Sequence, residues 1–333
     1  MDDNKLTYIL LNINKTDGSP RLTNIQNFFL RMELEKYNLQ YIDLYDNKLI
    51  DDLNLSRIRN AENLKDKIKK LLSNRADIAW KIDKWKQSGI SVLTQLDPIY
   101  PQKMLNLLKN KAPAVIFALG NLNKLSESGI AVVGSRDIDQ NIVTRTKQIS
   151  RCIVENGFSV ISGGAKGVDI TAMQTALDWG GKTIGFLKKN FSFRNLSSSG
   201  WNKFIEDGSL TLLTEVPPDE KLDRKRLIAA AMNRNKYIYA LAEHGIIVAS
   251  DVKGGTWQGA IEQLKKYNRN VFVMHDKDIT KPGNKKLIED LKALILPKPD
   301  NNFLSNLNNI YNEWLHKHTN GNLKVKQIEI DFG

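Results

Sequence analysis

Two short cationic turns are the part of this sequence best suited to holding a phosphate. Gly134-Ser135-Arg136 follows the apolar run Ile130-Ala131-Val132-Val133, and Ser162-Gly163-Gly164-Ala165-Lys166-Gly167 follows Phe158-Ser159-Val160-Ile161. An apolar run that breaks into glycine reads as a buried strand feeding a tight loop. Gly163, Gly164 and Gly167 allow a backbone to approach a ligand closely, and a loop that opens a helix offers free N–H groups and the positive end of the helix dipole. Arg136 brings a planar fork of donors and Lys166 a point charge. A third turn, Lys253-Gly254-Gly255-Thr256-Trp257, repeats the arrangement. Thr256 is expected to cap the helix that follows, and the Trp257 indole offers a face for a base, with packing into the domain as the bland alternative. Met232-Asn233-Arg234-Asn235-Lys236 falls within a predicted helix whose Leu227, Ile228, Ala231, Ile238 and Leu241 are expected to pack on a sheet. Asn233 and Arg234 in that setting need partners, which the ligand loops would supply.

Other chemistries lack their residues. A dinucleotide fingerprint would place glycine where Ser162 stands and an acid near the tip of the next strand, where Leu187 is followed by Lys188 and Lys189; a nicotinamide cofactor is not expected. Gly180-Gly181-Lys182-Thr183 resembles the end of a nucleotide-binding loop, but position 176 is alanine and the segment runs from helix to strand, so it reads as a helix cap. His244, His275, His316 and His318 have no metal-binding spacing, and no Gly-x-Ser-x-Gly elbow occurs. No catalytic residue, metal or cofactor is expected. Cys152, the single cysteine, sits beside Ile149 and Ile153 and reads as a small core residue.

The turns must be held by strands and helices that alternate. Strands are predicted near 130–133, 158–162, 183–187, 210–214, 245–249 and 270–274, with helices near 139–156, 167–179, 224–243 and 256–268. That alternation calls for a doubly wound, mostly parallel α/β sheet with its loops at the carboxyl ends of the strands, where such sheets bind ligands. Upstream, residues 1–75 read as a small helical module, with a turn at Lys15 to Pro20, followed by a helix over 76–88 and strands near 90–93 and 114–119. Downstream come helices near 284–294 and 302–318 and an alternating tail at Ile328, Ile330 and Phe332 that reads as an edge strand. The expected division is a helical module at 1–75, an extended Rossmann-like domain at 76–280 and a helical extension and tail at 281–333.

With 333 residues and 41% apolar side chains the chain can bury a core, and its formal charge of +12 favours a polyanion as partner. The excess is regional: residues 181–275 carry 15 Lys/Arg against 9 Asp/Glu, whereas 121–180 carry 6 of each. No leader-like start and no membrane-length apolar run is seen, so a soluble, cytoplasmic protein is expected.

In combination, LTQLDPIYPQKML, APAVIFALGNLNKL, GIAVVGSR, FSVISGGAKGVDITAMQTAL, GKTIGFL, SLTLLTEVPPD, NRNKYIYALAEHGIIVAS and GGTWQGAIEQLKKYNRNVFVM resemble the DprA/Smf family of bacterial DNA-processing proteins, in order over residues 90–275. The resemblance implies an extended Rossmann fold that forms a homodimer, holds single-stranded DNA in a basic pocket and delivers it to a RecA-type recombinase in transformation, recombination or phage defence. It further implies that Ser135, Arg136 and Lys166 clamp phosphates, that Gly163, Gly164 and Gly167 admit the backbone, and that Asn233 and Arg234 complete the pocket, with no catalysis. Two departures stand out. Lys188 to Ser199 is basic and serine-rich where the family has a glycine-rich turn with aspartate, and the Phe-Pro that often precedes the Asn-Arg element is missing. The region after 275 does not resemble the winged helix of some members. The alternative is a nucleotide sensor or a nucleotide phosphoribohydrolase-like enzyme, whose Gly-Gly-x-Gly-Thr loop Gly254-Gly255-Thr256 resembles, although Gly259 stands where that loop has its glutamate and Glu262 is the nearest acid.

Overall fold

The computed structural model describes residues 1–13, 21–58, 61–73, 75–191, 200–275 and 281–319. The turn predicted at 15–20 and the strand predicted in the tail lie outside these residues, as does most of the basic segment 188–199.

Strands buried on both faces build the sheet. Strands β1 (Ile90–Thr94), β2 (Val115–Leu119), β3 (Gly129–Val133), β4 (Ser159–Ser162), β5 (Thr183–Leu187), β6 (Leu210–Thr214), β7 (His244–Ile247), β8 (Phe272–Val273) and β9 (Leu294–Ile295) form one sheet in the order β1-β2-β6-β5-β4-β3-β7-β8-β9. From β6 to β9 all neighbours are parallel, and β1 and β2 extend that sheet as an antiparallel edge beyond β6. Along β3, Ile130 and Val132 enter the core under α7 (Gln140–Glu155) and α8 (Val168–Asp178), while Ala131 and Val133 face the core under the helix Arg224–Leu241. A strand buried on both faces has to be apolar throughout, which is why it reads as an unbroken hydrophobic run.

The helices before β1 are α1 (Asp3–Asn12), α2 (Asn24–Lys36), α3 (Asn47–Asp52), α4 (Ala61–Leu72) and α5 (Arg75–Gln87). Their apolar faces merge with the antiparallel edge of the sheet into one cluster, where Trp85 meets Phe117 edge-on at 5.3 Å. The remaining helices are α6 (Gln102–Leu108), α9 (Asn202–Glu206), α10 (Arg224–Leu241), α11 (Gly255–Lys266), α12 (Pro282–Glu289) and α13 (Phe303–Thr319). Among the described residues no helix is long and apolar enough to cross a membrane. Cys152 is buried in the α7 core, and burial pushes its thiol up to about 11, as befits a packing residue.

Two features of this frame position the site. The order of strands reverses at β3, which has β4 on one side and β7 on the other. The chain leaves these neighbours toward opposite faces and opens a crevice at their carboxyl ends. The second feature is the anchoring of α10: Arg269, half-buried, donates to the carbonyls of Tyr239, Ala242 and Glu243 at the helix's carboxyl end. One of the cations in the basic region is therefore spent on holding a helix.

Candidate nucleic-acid interface

The loops after β3, β4 and β7 are locked to one another. Ser135 N–H donates to the Ala249 carbonyl at 2.8 Å, the Ser135 carbonyl accepts from Val168 N–H at 3.1 Å, and the Thr256 hydroxyl donates to the Gly134 carbonyl at 2.9 Å. Thr256 was expected to cap α11. Instead Gly254 occupies the cap position at φ +94°, and Thr256 lies inside the first turn, where its hydroxyl ties that helix to the β3 loop. Gly167 is obligatory for the same locking. At φ +92°, a Cβ there would lie 2.3 Å from the Ser135 carbonyl oxygen. Ser162, in the place of a fingerprint glycine, is buried and donates to the Val132 carbonyl at 2.6 Å across the strands. On the far side Asn284 of α12 accepts from Ser250 N–H at 2.7 Å and donates to the carbonyls of Val248 and Met274, which fixes the end of β7.

These loops and α10 enclose two adjoining cavities. The first, about 650 Å³, lies between the ends of β3 and β7 and the amino-terminal half of α10. Ser135, Arg136, Arg234 and Lys253 line it together with Gly254, Gly255 and Thr256. The second, about 410 Å³, lies over the ends of β4 and β5, and Gly163, Gly164 and Lys166 line it with Trp201 and Phe191. Arg136, Ala165, Lys188 and Arg234 border both. Lys166 and Lys253 thus reach one rim from either side of Arg136. In the second cavity Arg136, Lys166, Lys188 and Lys189 face no carboxylate among the described lining residues, and Arg234 borders it while paired with Asp169 of the first cavity. In the first, Asp169 is held by Arg234 and Asp251 by Lys281 at 3.3 Å, which leaves Asp137 as the remaining acid of the wall.

Arg234 has a double role. Its Nη1 donates to Asp169 Oδ2 at 3.0 Å, and both side chains are 6% exposed. Burial pushes the Asp169 carboxyl up, against the pull of Arg234 and of backbone hydrogen bonds at Ala165 and Gly134. Gly163 makes room for this pair, because a Cβ there would stand 1.0 Å from Arg234 Nη1. The Arg234 Nε is buried and has no partner among the described residues, so a donor of the guanidinium stays unsatisfied within the walls of the two cavities.

Some expected residues lie elsewhere. Asn233 lines neither cavity; it donates to Glu215 at 3.1 Å and accepts from Lys236 at 2.9 Å, while its neighbour Asn235 donates to the Gly255 carbonyl at 2.9 Å and faces the first cavity. Trp257 is half-buried against the core under α10 and is absent from the lining of both cavities. Gly167 acts behind the rim through the close approach described above. Ile228, expected to pack on the sheet, is 54% exposed at the mouth of the first cavity: packing is left to the second half of α10, and its first two turns project.

Lys188, Asp169 and Arg224 were not among the residues singled out from the sequence. Lys188 carried a signal, since it follows the apolar run of β5 just as Gly134-Ser135-Arg136 follows that of β3. Burial first, then the positive fields of Arg136, Arg234 and Lys189, lower the Lys188 pKa. In the free protein this amine therefore loses its charge at lower pH than an ordinary lysine, near 10.4. Affinity for a polyanion is expected to decline as pH rises through that lowered value, ahead of the decline common to all lysines. Binding isotherms followed from neutral pH into the lysine titration range should show the early decline, and Lys188→Arg should remove it. An unchanged profile in Lys188→Arg would take this amine out of the site.

With the geometry in place, likeness to known proteins can be set against it. The family model described as DNA recombination-mediator protein A matches residues 91–308, more than half of the chain and all the loops of the rim. Over 197 residues the chain is 26% identical to Protein Smf of Synechocystis sp., covering 57% of this chain and 47% of that protein. Over 180 residues it is 28% identical to DNA processing protein DprA of Streptococcus pneumoniae, covering 54% and 61%. The chain spans about half the length of such curated relatives as the Synechocystis protein and its counterpart in Borreliella burgdorferi. In fold it is similar to the crystal structure of Streptococcus pneumoniae DprA, with a TM-score of 0.66 and 20% identity over 91% of this chain and 97% of that one. It is also similar to DNA processing protein A from Helicobacter pylori, a structure described for its single-stranded DNA binding mode, with a TM-score of 0.55 and 24% identity over 66% of this chain and 96% of that one. A match that reaches from β1 into α13 and spans the whole cationic rim places this chain in the DNA recombination-mediator protein A family, the DprA/Smf proteins.

Proposed function

We propose that this protein binds single-stranded DNA along the cationic rim and passes the strand to a RecA-type recombinase, without itself catalysing a reaction. The observation that carries the reading is the convergence of Arg136, Lys166, Lys188, Lys189 and Arg234 on a cavity with no carboxylate in its described lining. Cations this close repel one another, and after burial, the larger cause, the fields of Arg136, Arg234 and Lys189 lower the Lys188 pKa. A phosphate chain relieves it at several points at once, whereas a single small anion relieves it at one. The walls also carry Trp201, Phe191 and Leu187, apolar surface that suits a base better than an inorganic ion. The transfer to a recombinase is supported by the mediator role in the family's description, and the choice of single strand by the Helicobacter pylori relative.

Competition tests the reading directly. A labelled single-stranded oligonucleotide bound to the full chain should be displaced by unlabelled single strand at much lower concentration than by duplex or by mononucleotide. Equal displacement by mononucleotide would instead assign the cavities to a nucleotide sensor.

A further inference from the structure

The first two turns of α10 are costly as they stand. Asp223 caps the helix by accepting from Arg226 N–H at 2.8 Å, and the first turn then carries Arg224, Lys225 and Arg226 and no acid. A helix amino terminus favours negative side chains and is weakened by positive ones, so three cations there oppose the dipole. Arg226 is paired with Glu220, while Arg224 lines the first cavity and Lys225 is exposed. One turn on, Ile228 and Met232, four residues apart on one helical face, are 54% and 58% exposed, and Val252 from the β7 loop is 39% exposed. Ile228 and Met232 form the apolar wall of the same cavity whose rim holds Arg136 and Lys253. No proline interrupts residues 219–281, so α10 is unbroken from Arg224 to Leu241 and carries this ledge on its first two turns.

We infer that the ledge of Ile228 and Met232 receives unstacked nucleobases, while Arg224 and Lys225 at the helix start and Arg136 and Lys253 opposite receive the phosphates on either side of them. The inference rests on the reading of the rim as a single-strand site and adds what makes it choose: in a duplex the bases are stacked inward and cannot reach an aliphatic wall, whereas in a single strand they can turn onto it. Charge complementarity favours this occupant over a protein segment, since the ledge is bordered by cations at both ends.

The test compares two probes of equal length and charge on the full chain, an oligothymidylate and an abasic oligomer. The protein is expected to prefer the oligothymidylate by about ten-fold, the size of effect that follows when bases cover two aliphatic side chains. The pair Ile228→Ser and Met232→Ser should erase most of that preference and leave abasic binding and its salt dependence as they were. Both positions are exposed, so folding is not at risk, and the pair Ile228→Leu and Met232→Leu should keep the preference. The inference is overturned if the serine pair retains the preference, if it weakens both probes alike, or if its one effect is on self-association in sedimentation, which would make the ledge a contact between copies. Failure of the unsubstituted protein to bind either probe would instead remove the single-strand reading of the rim.

Discussion

Reversing two charges at once, Arg136→Glu with Lys188→Glu, is expected to lower affinity for a single-stranded oligonucleotide by at least about a hundred-fold, because each change removes an attraction and puts a like charge beside a phosphate. These two side chains border both cavities, so any strand that crosses the rim passes them. Arg136 is exposed and Lys188 half-buried, and no ion pair within the fold depends on either among the described contacts. The unfolding transition should therefore stay within about 1 kcal/mol of the unsubstituted protein, as is usual for surface changes. Fluorescence anisotropy at fixed salt, beside a thermal melt, separates the two quantities. Retained affinity in a folded double variant would show that the strand runs elsewhere.

The second large effect is on stability. Arg234→Met leaves Asp169 buried without its partner and is expected to destabilise the fold by about 3–5 kcal/mol, read from denaturant unfolding at neutral pH. Adding Asp169→Leu should restore much of the loss, since it removes the stranded charge. The pH dependence gives a check with a definite sign. Burial already raises the Asp169 carboxyl, and without Arg234 it rises further. A group whose folded pKa is raised favours the folded state when protonated, so the deficit of Arg234→Met is full at neutral pH and shrinks as pH falls through the raised value toward the ordinary aspartate range near 4. Gly163→Ala should share this signature, because its methyl group displaces the guanidinium from Asp169. A deficit that does not change with pH would mean that the ion pair is not what Arg234 supplies.

Much of the sheet could be read from the chain, for a physical reason: strands buried on both faces must be continuously apolar, and the loops that leave them are marked by glycine. The segments around Ile130, Val160, Ile184 and Leu212 follow that rule and form β3 to β6. The antiparallel placement of β1 and β2 beyond β6 was out of reach, because pairing between segments as far apart as Phe117 and Thr214 leaves no local mark. The site divides in the same way. Arg136, Lys166 and Lys253 were legible as cations that close apolar runs, whereas the bond from Arg234 to Asp169 spans 65 positions and nothing in either segment announces the other. Lys188 occupied a legible position and was read only as the absence of an acid. Thr256 shows the limit of local rules: a threonine beside glycines at a helix start has the composition of a cap, but the neighbouring carbonyl of Gly134 offered its hydroxyl a tertiary partner and Gly254 supplied the turn. Ile228 was read from periodicity as a packing residue, yet periodicity does not say where a helix outruns the sheet it lies on.

Salt dependence tests the central claim most directly, that a polyphosphate thread lies across cations gathered from several loops. The logarithm of affinity for a single-stranded oligonucleotide should fall linearly with the logarithm of salt concentration, by about 0.7 for each phosphate contacted, and Arg136→Glu alone should flatten the slope by about that one contact. A slope near zero for the unsubstituted protein, or one that Arg136→Glu leaves as it was, would contradict the account.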